Sequence, residues 1–245
     1  MEKYILIIGA TSAIAHATAE EFAAKGYSLY LTGRNLNELK RIADDLQIRH
    51  NVKVQHSYFD VEDFSKHYDF FKSIVTNGDK LAGLLFAPGY MHPDGIPLTQ
   101  AEILRVINVN FTGAVSILNY FAEYFKERKR GFIIGISSVA GDRGRAKNLV
   151  YGSAKSGFSA YLQGLRNALY QYNVKVITIK PGYVDTSMIF GKQGLILVAS
   201  PNYVGKRIAN SISKSNDILY IPWFWRYIML IVKLIPESIF KHLKI

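Results

Sequence analysis

The sequence predicts a single doubly wound α/β domain, a parallel sheet of about seven strands with helices on both faces, followed by an amphipathic C-terminal tail. Three observations predict it. Short β-rich apolar runs alternate with longer stretches of helical spacing. Each connection is long enough for a crossover, which parallel pairing requires. The first strand ends in a small-residue turn that opens a helix.

In order, the run 4–8 reads as a strand and 14–25 as a helix. A second strand, 28–31, precedes the helix 36–46, and a third, 53–57, precedes the helix 64–75. The apolar run 81–86 leads to a long helix, 101–124, and the run 132–136 to another, 150–172. Strand 174–179, helix 203–212 and strand 218–221 complete the sheet. Composition does not break anywhere along this series, so residues 1–222 read as one catalytic and cofactor-binding domain and 223–245 as a tail.

The chain has 245 residues, of which 49% are hydrophobic and 20% charged, which excludes disordered and collagenous classes. With no cysteine, disulfides, thiol nucleophiles and Cys-based metal centres are excluded. The start does not read as a signal peptide, because Glu2 and Lys3 lead directly into a strand, so a cytoplasmic location is the expectation. The net charge of +11 is concentrated: residues 126–147 and 201–245 each carry seven Lys/Arg against two acids. A general nucleic-acid coat is not expected from so local a distribution.

The turn after the first strand runs Gly9, Ala10, Thr11, Ser12, Ala13, Ile14, Ala15. A helix N-terminus presents free backbone N–H groups and a favourable dipole to a phosphate. Gly9 supplies a conformation that a side chain would hinder, and Ala13 and Ala15 stand where a dinucleotide fingerprint has glycine. An ordinary strand–helix turn reads the same way. The second strand ends at Gly33-Arg34, where an acid would bind the ribose diol of NAD. Arg34 instead offers a planar fork to a 2′-phosphate, which points to NADP(H), unless it merely caps the strand in solvent. Since position 12 is Ser and not a second base, the phosphate grip rests on Arg34.

Ser138 follows the fifth strand, and Tyr151 and Lys155 lie four residues apart on one helix face. A free phenol titrates near 10, too high for efficient proton exchange at neutral pH. A neighbouring ammonium favours the phenolate, so Lys155 is expected to lower the Tyr151 pKa and to hold a cofactor ribose. Tyr151 then donates a proton to a carbonyl, and Ser138 hydrogen-bonds the same oxygen as charge develops.

With these residues in place the chain resembles the short-chain dehydrogenase/reductase family over essentially its whole length, and hence a Rossmann-like fold. The matching elements are the turn 9–15, Asp60-Val61, 108–113, 136–138, Tyr151 to Lys155 and Pro181 to Thr186. The resemblance implies that Asp60 and Val61 frame an adenine and that Asn110 holds a proton-relay water beside Lys155. It also implies that the loop from Pro181 and Gly182 covers the nicotinamide, with Val184 and Thr186 at its carboxamide. Where the family has Asn-Asn-Ala-Gly after the fourth strand, this chain reads Phe86-Ala87-Pro88-Gly89, so Ala87 and Gly89 take those cofactor positions. Members usually assemble through two long helices, here 101–124 and 150–172, which implies a homo-oligomer.

The loop 141–148 and the segments 218–227 and 234–243 resemble more narrowly the keto-reductase of decaprenylphosphoryl-arabinose synthesis. That resemblance implies a lipid-linked keto-sugar or another anionic, lipophilic substrate. Arg143, Arg145 and Lys147 lie between Ser138 and Tyr151, where guanidinium groups can grip a phosphate; a solvated loop or a subunit interface is the alternative. In the tail, Arg226, Lys233, Glu237, Lys241 and Lys244 follow helical spacing beside Trp223, Phe224, Tyr227, Ile228, Leu230, Ile231 and Leu234. That is the pattern of an interfacial helix on an anionic membrane, here the inner membrane surface, or of a tail packed on its own domain or a second copy. A helix between Pro222 and Pro236 is too short to span a bilayer.

Six histidines show no ligand spacing, so no metal is expected. The cluster 126–130 is explained by a helix C-terminus, and the turn-rich loop 91–97 is expected beside the cofactor cleft. The leading expectation is an NADP(H)-dependent reduction of a ketone to an alcohol. A soluble 3-oxoacyl thioester reductase is the first alternative, and a catalytically silent dinucleotide-binding regulator the second.

Overall fold

The computed structural model describes residues 3–76, 81–92, 98–189, 194 and 197–243. Within them the strands are β1 (Tyr4–Ile8), β2 (Ser28–Gly33), β3 (Val54–Tyr58), β4 (Leu81–Phe86), β5 (Gly131–Ile136), β6 (Val174–Pro181) and β7 (Ile218–Ile221). They form one sheet in the order β3-β2-β1-β4-β5-β6-β7, with every pair parallel. The order reverses at β1 and β4, and the crevice at the carboxyl ends of those strands is where such sheets bind ligands.

The helices are α1 (Ala13–Ala24), α2 (Leu36–His50), α3 (His67–Val75), α4 (Gln100–Ile107), α5 (Gly113–Arg128), α6 (Leu149–Leu169), α7 (Pro201–Ala209), α8 (Trp225–Leu234) and α9 (Glu237–Phe240). Alternation along each strand sorts the two layers. Ile5 and Ile7 join one core with Ala19 and Phe22 of α1, Leu39 of α2 and Val204 of α7, whereas Leu6 and Ile8 join the other with Phe70 of α3, Phe121 of α5 and Phe158 of α6. The second layer contains the stretch Gln100–Arg128, apolar and long enough to cross a membrane by composition alone, with Ile117, Phe121 and Phe125 buried in the core.

Three expected helices differ in detail. The helix expected over 101–124 is interrupted by a π turn over Asn108–Thr112, which brings Asn110 into the interior. The stretch 64–75 begins with a 3₁₀ turn, Phe64–Lys66, before α3. The tail is not one continuous helix: α8 stops before Pro236 because Ile235 is extended, so residues beyond it do not share the α8 stripe. Lys244 of that stripe, and residues 93–97 of the loop expected beside the cleft, lie outside the described residues.

Candidate active site

At the end of β1, Gly9 has φ +78°, and a Cβ there would stand 2.9 Å from the Pro88 nitrogen. Both facts require glycine, as expected from sequence. Gly9 and Ala10 donate backbone bonds to Thr32 O, each at 2.9 Å, which ties the turn to β2. Ser12 is the N-cap of α1, its hydroxyl accepting from Ala15 N at 3.3 Å. Ala13 and Ile14 fill the first turn, whose remaining N–H groups have no intrahelical partner.

This turn forms one end of a cleft of about 330 Å³. Of the residues singled out for cofactor binding, Gly9, Thr11, Ser12, Arg34, Asp60, Val61, Ala87 and Gly89 line it. The cleft also includes Arg105, which sequence reasoning missed. Its guanidinium lies 4.3 Å from the centroid of the Tyr90 ring and 3.9 Å from Glu62. Burial and the neighbouring Asp60 hold the Glu62 carboxyl above the usual range, opposed by Arg105 and Arg34. The position of Arg105 at the cleft follows from the path of α4, not from any local motif.

A second cavity, of about 380 Å³, is lined by Ser138, Tyr151, Gly182, Arg145, Lys147 and Trp225, among others. The two spaces meet along 89–91 and 187–188, where consecutive residues line one and then the other. Ser138 is extended at the end of β5, and its hydroxyl accepts from Ala140 N at 3.1 Å. Tyr151 and Lys155 share one face of α6. The Lys155 ammonium donates to Ile136 O at 3.0 Å and lies 5.9 Å from the centroid of the Tyr151 ring. Ser137, which sequence reasoning passed over, clamps α6 to β5 by donating to Lys155 O at 3.0 Å. Asn110 gives both amide hydrogens away, to Tyr90 O at 2.6 Å and Val106 O at 2.8 Å, and accepts from Tyr90 N at 3.3 Å. Its carbonyl oxygens are what remain to hold a water.

The electrostatics correct one expectation. Lys155 was expected to lower the Tyr151 pKa, but burial dominates both groups. It pushes the phenol up to about 12, with the Ser138 hydroxyl acting in the opposite direction, and pushes the ammonium down to about 7.

The loop from Pro181 is divided. Pro181 ends β6 in register with Ile221, and Gly182 lines the second cavity. A Cβ on Gly182 would stand 1.9 Å from Trp225 Nε1, so the indole seats directly on this glycine. Val184 is buried in the core and bridged to Ala199, so its side chain is not presented to either cavity; Thr186 lies outside both linings. Trp225 and Met229, i and i+4 on α8, form the inner side of the tail, a spacing that could have identified them. The basic loop is also divided. Arg145 and Lys147 line the cavity, and Arg145 Nε is buried without a partner. Arg143 turns away: it pairs with Glu237 at 2.6 Å, donates to Ile235 O at 3.3 Å and covers the Phe240 ring at 4.3 Å. The expected phosphate grip therefore loses Arg143, which latches the tail instead.

A parallel doubly wound sheet, a glycine turn at its switch point and a Ser–Tyr–Lys set beside a substrate-sized cavity define an oxidoreductase acting between CH–OH and C=O. The short chain dehydrogenase profile matches residues 3–193, and the chain belongs to that family. It is 28% identical over 240 residues to an uncharacterised oxidoreductase of Mycobacterium tuberculosis, covering 98% of this chain and 96% of that one. It is 30% identical to an uncharacterised oxidoreductase of Streptomyces coelicolor, covering 98% and 95%. A short-chain dehydrogenase from Sphingobium yanoikuyae, solved in complex with NADPH, superposes with a TM-score of 0.84 at 21% identity, covering 96% of this chain and 97% of that one.

Proposed function

We propose that the protein is an NADP(H)-dependent carbonyl reductase whose substrate is a ketone on an anionic, lipophilic carrier, such as a lipid-linked keto-sugar. The observation that carries the reading is the convergence of Ser138 and Tyr151 on a cavity that adjoins the glycine-turn cleft. The cleft fits a dinucleotide: the Gly9 turn, Thr11 and Ser12 line it at the N-terminus of α1, where backbone N–H groups favour a phosphate, and Arg34 stands just past the end of β2 for a 2′-phosphate. A solved relative of the same fold holds NADPH, which supports this choice.

When bound, the reduced nicotinamide supplies the hydrogen and electron pair that reach the carbonyl carbon. Tyr151 Oη gives its proton to the carbonyl oxygen, and Ser138 donates a hydrogen bond to that oxygen. A phenol pushed up to about 12 remains protonated throughout the neutral range, so the acid is always loaded. Asn110, in the π turn and fixed by its bonds to Tyr90 and Val106, offers an oxygen acceptor for a water that returns a proton toward Lys155.

The walls of the second cavity support the substrate class. Arg145 and Lys147 provide a cationic side, with Arg145 Nε lacking a protein partner, while Trp225, Met188 and Ile189 provide an apolar one. The test is NADPH consumption with a phosphorylated ketone and its neutral analogue. Arg145→Ala should raise KM for the phosphorylated ketone by about 10–100-fold, the worth of one or two charged hydrogen bonds, and leave the neutral one within about twofold. Equal effects on both would refute the anionic class.

A further inference from the structure

Helix α8 has two apolar sides. On the inner side Trp225 and Met229 are 8% and 1% exposed and pack with Val139, and Trp225 lines the second cavity. On the outer side Tyr227, Leu230, Ile231 and Leu234, continued by Trp223 in the turn just before the helix, stand in solvent, with Trp223, Ile231 and Leu234 64%, 66% and 72% exposed. The rings of Trp223 and Tyr227 meet edge to face at 5.9 Å, so the patch is continuous. Ile239 and Leu243 extend exposed apolar surface beyond Pro236. An apolar face of this kind marks an interaction site.

The charges around it select the occupant. At 3.6 residues per turn, Arg226 and Lys233 fall together roughly a quarter-turn from the centre of the outer face. Both are exposed, as is Lys241. The one acid of the described tail, Glu237, is already paired with Arg143. Aromatic and aliphatic groups on one face, with long cations at its flank free to reach outward, match the boundary between acyl chains and anionic headgroups. The helix has 10 residues, about 15 Å, against a hydrocarbon core of about 30 Å, so it lies in the surface and does not cross it.

We infer that the outer face of α8 seats the protein on an anionic lipid bilayer, placing the Trp225 wall of the substrate cavity one helix thickness from the lipid. Docking stands independently of the reductase reading, because it is read by binding and not by turnover. The full chain is mixed with vesicles of phosphatidylcholine, with and without phosphatidylglycerol, then sedimented. The chain has two tryptophans, and Trp225 is already buried, so a blue shift in emission reports Trp223. The result expected is salt-sensitive sedimentation with the phosphatidylglycerol vesicles and a blue shift lost in Trp223→Phe. The double variant Ile231→Ser/Leu234→Ser should bind at least about tenfold more weakly, given the apolar area it removes. Ile231 and Leu234 stand in solvent and line neither cavity, so turnover of a water-soluble ketone should be unchanged. Absence of binding at low salt, or binding indifferent to the double variant, would overturn the inference. So would a dimer in solution that this variant dissociates without any vesicle binding, because the face would then belong to a second copy.

Discussion

Tyr151→Phe is expected to lower ketone turnover by about 10²–10⁴-fold while leaving NADPH affinity within about threefold. The size is that of one general acid in the transition state. The ring, which lies 5.9 Å from the Lys155 ammonium, is retained and only the hydroxyl is lost, so the cavity keeps its shape. Single-turnover measurement with saturating NADPH separates the chemical step from binding, and unchanged turnover would remove Tyr151 from the mechanism. The same residues set a pH signature in the free protein. Lys155 is at about 7 in the fold against an ordinary 10.5, so between those values the unfolded chain binds more protons and stability rises with pH. Tyr151 is at about 12 against an ordinary 10, so above pH 10 the folded chain binds more protons and stability falls again. Lys155→Met should flatten the rise above pH 7 in thermal denaturation curves, leaving the smaller part that Lys175, also lowered by burial, contributes.

The second large effect is on stability. Asp142→Ala is expected to cost about 3–5 kcal/mol, the usual penalty for orphaning a buried charge. Asp142 is enclosed at the start of the basic loop, pairs with the buried Lys180 of β6 and accepts from Tyr220 Oη of β7 at 2.7 Å. Burial and this contact push the Tyr220 phenol well above its ordinary range. Removing the carboxylate leaves Lys180 charged without its partner and frees the loop that carries Arg143 and Arg145. The melting temperature should fall by roughly 10 °C, at a few degrees per kcal/mol for a domain of this size. KM for an anionic ketone should rise in parallel. Asp142→Asn, which keeps an acceptor for Tyr220, should be milder. A variant as stable as the parent would show that this triad does not hold the loop.

What could be read before folding was local. Apolar runs and the turn 9–15 specified the sheet, because strand alternation and a positive-φ glycine leave marks within a few residues. Ser138, Tyr151 and Lys155 were legible because β5 and α6 bring them together within one crossover. The rest depends on distance along the chain. No spacing announces that Arg143 pairs with Glu237, 94 residues away, or that Asp142 meets Lys180 and Tyr220. The π turn at Asn110 reads as ordinary helix until its amide finds Tyr90. Trp225 was absorbed in an aromatic run whose outer members are exposed, although its own indole seats on Gly182. The direction of the Tyr151 shift differs from the sequence expectation because a neighbouring charge is visible in sequence and desolvation is not.

The cleft beside Ser138 and Tyr151 is expected to take a 2′-phosphorylated nicotinamide dinucleotide. Fluorescence titration of the purified chain and of Arg34→Leu with NADPH and NADH measures this. NADPH should bind the parent at least about tenfold more tightly than NADH, and Arg34→Leu should remove about 10–100-fold of that affinity while sparing NADH, as expected for charged hydrogen bonds. Equal affinities in the parent would contradict the assignment of Arg34, and binding of neither would contradict the reductase itself.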